Sequence, residues 1–297
     1  MKSITELSNR IGITLDKSLQ PYEVLFFAGA GISVPPPANF PLGNELHRML
    51  LEYAEKRNKK DAENLSKSFI FEETVSRLSK LYEDLNGKNI FLHIFSNVFE
   101  VRADEDPKAI TAHLLNHKPN EYHKYFNWHI KNGGKHFTVN IDQFIESLGS
   151  LQFNIRTKEY IDELLMNSIN LSDSSGYLLK LHGDVNKDEW GTQGYLYKNV
   201  QAFSQSFSKF LDIEINSARI VIFIGYGGVD HYDITPYFKL KNNGYFENTS
   251  AIWLKYEGNE ELNIVEPEGS QNEILTKFKN HFVIKSTKPE FLLNSLC

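Results

Sequence analysis

The chain has 297 residues, of which 41% are hydrophobic and 13% aromatic, enough apolar mass for one large or two modest domains and too much for a disordered polymer. A formal net charge of −6 carries no basic excess that would point to nucleic acid or an anionic membrane. The single cysteine, Cys297, excludes an intrachain disulfide and a cysteine zinc cage and fits a reducing cytoplasm.

At the N-terminus Ile4, Leu7, Ile11 and Leu15 are spaced as on an amphipathic helix, which predicts a helix over residues 3–20 stopped at Pro21 rather than a signal peptide. No run is long and apolar enough to span a bilayer. Residues 24–28, Val-Leu-Phe-Phe-Ala, read as a buried parallel strand. The strand stops at Gly29-Ala30-Gly31-Ile32-Ser33. Glycines at 29 and 31 permit a tight turn that brings backbone N–H groups against a phosphate, and Ser33 can donate to a phosphate oxygen or cap a following helix. An ordinary strand-to-helix turn has the same composition, and Val34 stands where the third glycine of the dinucleotide fingerprint would be. The segment Val34 to Pro41 has four prolines and is a stiff loop, a ligand cover or a rigid spacer.

From Gly43 to about Ile130 the pattern is helical. Leu46, Met49, Leu50 and Tyr53 share one face; Phe71, Val75, Leu78 and Leu81 a second; Phe91, Ile94, Phe95 and Val98 a third; His123, Phe126 and Trp128 end a fourth. Lys59-Lys60-Asp61 reads as a solvated turn. The block exceeds a normal crossover and is expected to be an inserted helical module, about 43–130, beside a sheet formed by about 20–42 and 131–297, all in one domain spanning 1–297. Apolar strands are expected at 135–139, 177–181, 219–224, 250–254 and 282–285, separated by helical or loop segments. That alternation predicts an α/β fold with a doubly wound, Rossmann-like parallel sheet, whose ligands bind at the carboxyl ends of the strands. Asn167 to Gly176, rich in Ser, Asn and Asp, reads as a loop.

The strand ends carry the candidate chemistry. After 135–139 come Asn140 and Asp142. They can cap a helix, or Asn140 can orient a water or sugar hydroxyl while Asp142 accepts from a carboxamide. After 177–181 comes His182-Gly183-Asp184, where the imidazole can take a proton near neutral pH. After 219–224 comes Gly225-Tyr226-Gly227-Gly228-Val229-Asp230, a second close-approach loop in which Asp230 either caps the next helix or contacts a ribose hydroxyl.

In order, Gly29-Ala30-Gly31-Ile32-Ser33, Pro119-Asn120 with His123, Thr138-Val139-Asn140-Ile141-Asp142, His182-Gly183 and Gly225-Tyr226-Gly227 resemble the motifs of the sirtuin superfamily across roughly residues 24–233. The resemblance implies a Rossmann-like sheet with an inserted smaller module and NAD bound in the cleft between them. It places Gly29 to Ser33 at the pyrophosphate and Asn140 and Asp142 by the nicotinamide ribose and carboxamide. His182 is then the general base, and Gly225 to Gly227 meet the adenosine side. The chain lacks the four-cysteine zinc module of protein-deacylating sirtuins and their Asp-Phe-Arg, with Asn39-Phe40-Pro41 in that region. In both losses it is similar to the sirtuin-like NADases of bacterial antiphage defence, as it is in the Gly-Tyr-x-x-x-Asp spacing of Gly225, Tyr226 and Asp230. The implied activity is hydrolysis of NAD+ to nicotinamide and ADP-ribose without zinc, in an oligomer or with a sensor protein partner. A NAD/ADP-ribose sensor without turnover and an NAD-dependent deacylase are the alternatives.

Overall fold

A computed structural model describes residues 8–9, 12, 18–65, 74, 118–140, 142–148, 155–157, 176–182, 203–230, 233–256, 263–286 and 293. Its strands are β1 (Val24–Ala28), β2 (Lys135–Thr138), β3 (Ile155–Thr157), β4 (Tyr177–Lys180), β5 (Ile220–Ile224), β6 (Phe246–Tyr256), β7 (Asn263–Val265) and β8 (Phe278–Ser286). They form one eight-stranded sheet in the order β3-β4-β2-β1-β5-β6-β8-β7. Every pairing is parallel except β7 with β8. The six strands expected from apolar runs are present. The two edge strands, β3 and β7, were not expected. Each has three residues, too few to display a period, and pairing with a neighbour is what makes them strands.

The described helices are α1 (Gly43–Arg57), α2 (Lys59–Leu65), α3 (Glu121–Lys131), α4 (Gln205–Ser217), α5 (Ile234–Lys239) and α6 (Gly269–Leu275). Lys59 and Lys60 therefore begin a helix after a break at Asn58 instead of forming a turn. The expected helix over 3–20 is corrected where it is described: Ser8 and Asn9 are helical, but Gly12 adopts φ +68° in a turn and Ser18 and Leu19 are turn and bend, so no unbroken helix runs to Pro21. The apolar faces built on residues 71–81 and 91–98 and most of the 167–176 loop lie outside the described residues. Among the described residues no helix is long and apolar enough to cross a membrane.

Alternation along β1 explains why both faces of the sheet are covered. Val24, Phe26 and Ala28 face one core layer with Phe126 and Ile130 of α3. Leu25 and Phe27 face the other with Phe207 and Leu211 of α4, Phe238 of α5 and Ile274 of α6. All five β1 residues are buried, as a central parallel strand requires. On α3 the expected face is corrected at one position. His123 and Phe126 are buried, but Trp128 is 38% exposed, because helical rotation carries it off the face that holds Tyr122, Phe126 and Ile130.

Without the two edge strands the order reads 4-2-1-5-6-8, the arrangement of a doubly wound dinucleotide-type sheet. The chain leaves β1 toward β2 and β4 on one side and continues from β5 to β6 and β8 on the other. The switch point is thus between β1 and β5, where such sheets open a crevice at their carboxyl ends.

Candidate active site at the sheet switch point

Register brings the candidate residues to one level. Ala28 pairs with Thr138 and with Ile224, and Thr138 pairs with Lys180. The four central strands therefore end side by side. Gly29 to Ser33, Asn140, His182 and Gly225 to Gly227 all follow within a few residues of those ends. Asn140 and His182 each stand two residues beyond a paired position on neighbouring strands, and each is buried, at 7% and 8% exposure.

The two glycine loops hold each other. Gly29 N–H donates to Ile224 O at 3.0 Å and Gly31 N–H to Gly225 O at 2.9 Å. A Cβ on Gly29 would sit 2.6 Å from Gly225 O and Tyr226 Cα, and Gly225 adopts φ +60°. The glycines thus allow one backbone to lie against another. The Tyr226 ring belongs to the core layer, 5.0 Å from the Phe27 ring and 5.5 Å from Trp253. Gly227 is the open glycine of this loop, with only Val229 Cγ2 near a notional Cβ. Ala30 is half-buried in the 3-10 turn Ala30–Ser33.

Ser33 is the hub of a buried network. Asn120, the N-cap of α3, donates its backbone N–H to His123 Nδ1 at 3.0 Å. Nδ1 is therefore an acceptor, and the ring proton of neutral His123 is on Nε2, 3.1 Å from Ser33 Oγ. Burial lowers the His123 pKa to about 4, with Asp142 pulling the other way, so the ring is neutral at pH 7. Ser33 Oγ donates to Asp142 Oδ2 at 2.8 Å, and Asn140 Nδ2 donates to Ser33 Oγ at 3.2 Å. One donation and two acceptances fill the hydroxyl. It is committed neither to a phosphate nor to a helix cap, the two uses its sequence position offers. The same network fixes the Asn140 amide. Since the Ser33 proton goes to a carboxylate, Asn140 must present its NH2 to Ser33, which leaves Oδ1 pointing elsewhere. That oxygen is buried and has no hydrogen-bond partner among the described residues. Backbone geometry supports this placement: Asn140 N–H donates to Thr138 Oγ1 at 3.0 Å, and Thr138 Oγ1 donates to Ala28 O at 3.1 Å.

Asp142 also caps its own turn, with Oδ1 accepting from Phe144 N–H at 3.2 Å. Beneath it lies Lys180, a lysine 1% exposed at the end of β4. Its Nζ donates to Asp142 O at 2.6 Å and to Glu146 Oε1 at 2.7 Å. Lys180→Met removes the cation of this buried pair and is expected to lower the unfolding free energy by about 3–5 kcal/mol. Denaturant titration checks this, and an unchanged midpoint would show that Lys180 is not the strut under the Asp142 turn.

His182 faces two carboxylates. Its Nε2 is 3.1 Å from Asp233 Oδ2 and 3.6 Å from Asp230 Oδ1. Asp233 is wholly buried and caps α5, accepting from Ile234 N–H at 2.6 Å. Asp230 accepts Thr235 N–H through its backbone carbonyl at 3.1 Å and turns its carboxylate to the histidine. These groups form two clusters at one sheet edge: an amide held by Ser33 and an imidazole held by two aspartates.

Four contributors were not selected from the sequence as site residues: Asn120, His123, Lys180 and Asp233. Asn120 and His123 stand about 90 residues from Ser33, so no local pattern joins them. Lys180 did leave a signal, a lone charge ending an apolar strand. Asp233 sits three residues after Asp230 in the same loop.

Residues 135–271, a little under half of the chain, match the family model of the SIR2-like domain. The matched segment holds Asn140, Asp142, His182, Gly225 to Gly227, Asp230 and Asp233, whereas the Gly29 to Ser33 loop precedes it. Among curated proteins none matches the chain.

Proposed function

The chain carries a SIR2-like domain, and on that premise we propose that it is an NAD+ glycohydrolase, cleaving NAD+ to nicotinamide and ADP-ribose as an NAD-depleting effector of antiphage defence. The observation that carries the proposal is the Asn140 Oδ1 acceptor, buried and without a partner among the described residues, at the same strand level as His182. A buried polar atom held this way costs free energy unless something with a donor comes to it. A water or a ribose hydroxyl meets that need.

In this mechanism the nicotinamide ring leaves as a neutral molecule from a cationic linkage, so its departure needs no acid. The C1′–N bond breaks, a water oxygen bonds to C1′, and the water proton goes to His182. Asn140 holds the water or the ribose hydroxyl through Oδ1 while Ser33 holds the amide from behind. The Gly29 to Ser33 turn and the open Gly227 side are assigned to the pyrophosphate and adenosine by close approach of their backbone, since the N–H groups of Gly29, Gly31 and Ile32 are already spent on Ile224 O, Gly225 O and Gly29 O. Asp142 keeps the Ser33 network in register beneath the carboxamide. Asp230 is assigned to a ribose hydroxyl. No step calls on zinc, in keeping with the single cysteine. An NADase that acted without restraint would empty its own cell, so assembly into a homo-oligomer or release by a sensor partner belongs to the proposal.

The test is incubation of the protein with NAD+ at rising protein concentration while free nicotinamide is followed. His182→Ala and Asn140→Ala are each expected to reduce turnover by about 10²–10⁴-fold with the fold intact, the usual worth of positioned acid–base groups. NAD+ binding without nicotinamide release would favour a sensor. Release only in the presence of an acylated peptide would favour a deacylase.

A further inference from the structure

Asp233 does not appear among the motifs that carry the resemblance, yet it is the carboxylate nearest the proposed base. It is anchored through both oxygens: Oδ1 accepts Ile234 N–H at 2.6 Å and Oδ2 stands 3.1 Å from His182 Nε2. It is fully buried, whereas Asp230, at 3.6 Å from the same nitrogen, is 13% exposed at its side chain. Two carboxylate oxygens therefore face one ring nitrogen. A lone pair on Nε2 would point at negative oxygens, whereas a proton there satisfies both. A neutral imidazole carries one proton, so Nδ1 holds the lone pair.

We propose that Asp233 is a positioning residue that fixes His182 as the Nε2–H tautomer and makes Nδ1 the nitrogen that receives the proton. The role of that nitrogen in turnover rests on the NADase reading; the tautomer does not. A carboxylate that holds a catalytic histidine this way stabilises the imidazolium formed in the reaction, and replacing it by an amide imposes the wrong tautomer.

The three side chains also have ligand atoms within 4.8 Å of one another, close enough to share a divalent ion. A shared ion would need the Nε2 lone pair. The tautomer therefore separates the two arrangements.

The experiment is long-range 1H–15N correlation of the histidine rings in the full chain at pH 8, with the His182 signals identified by their loss in His182→Gln. The expected result is an Nε2–H ring, unchanged by EDTA. Asp233→Asn keeps an oxygen for the α5 cap and turns an NH2 toward Nε2, so its His182 is expected as Nδ1–H. With NAD+, that variant is expected to lose about 10⁴-fold in kcat, the scale seen for such an amide exchange, while KM and the melting midpoint hold. A wild-type Nδ1–H ring, a spectrum that changes when EDTA strips a bound metal, or an Asp233→Asn variant with full kcat would overturn the assignment. Should wild-type protein release no nicotinamide, the NADase proposal fails and the ring spectrum still decides the tautomer.

Discussion

Lowering the pH from 8 to 5 is expected to remove about 4 kcal/mol of folding stability through His123 and His129, with a further loss of the same sign from His136. His123 is lowered to about 4 and His129 to about 3, and His136 lies well below its ordinary value; burial is the main cause in each. His129 and His136 pack against Phe26 with ring centroids 4.8 and 5.6 Å away. In the unfolded chain each titrates near 6.5; in the folded chain each stays neutral to a lower pH. Between those limits the unfolded state holds more protons, so stability is full above about pH 6.5 and falls as the pH drops toward 4. At pH 5 His123 and His129 each contribute about 2 kcal/mol of that loss, and His136 adds to it in the same direction. Denaturant titrations at pH 8, 6 and 5 measure it. An unfolding free energy that does not fall across that range would mean that the three rings are not buried as described. A loss of this size is a large fraction of the total stability of many domains, about 5–15 kcal/mol, so the denaturation midpoint is expected to be markedly lower at pH 5 than at pH 8.

Gly225→Ala is expected to destabilise the protein by about 3 kcal/mol, combining left-handed backbone cost with overpacking. At φ +60° an alanine Cβ would stand 2.5 Å from Ile32 N and 2.9 Å from Gly31 C, both backbone atoms that cannot swing aside. Relief requires the two glycine loops to separate, which opens the switch-point crevice. Gly227→Ala is the control. Its Cβ would meet only Val229 Cγ2 at 3.6 Å, an ordinary contact, so a change within about 0.5 kcal/mol is expected. Thermal melts of the two variants give the comparison. Equal midpoints would show that the loops are not clamped at Gly225.

The central strands were legible because a buried parallel strand is a short, uninterrupted apolar run, as in Val24–Ala28 and Ile220–Ile224. The strand-end polar residues were legible for the same reason: Asn140, His182 and Asp230 stand where apolar runs stop. Trp128 was misplaced because three apolar residues are too few to fix a helical face. The use of Ser33 was not legible. One hydroxyl after a glycine turn suits a phosphate, a cap or a side-chain network equally, and His123 and Asp142, about 90 and 109 residues away, decide among them.

By itself the sequence determined an α/β sheet of parallel strands, too few cysteines for a four-cysteine zinc module, and which residues stand at the strand ends. Hydrophobic period and residue chemistry are local properties, and a chain displays them without folding. The tertiary structure alone decided that the two glycine loops clamp each other, that a buried lysine supports the Asp142 turn, and that Asp233 holds His182. Each of these is a hydrogen bond or a steric contact between distant segments, fixed only when strand register brings their ends to one level.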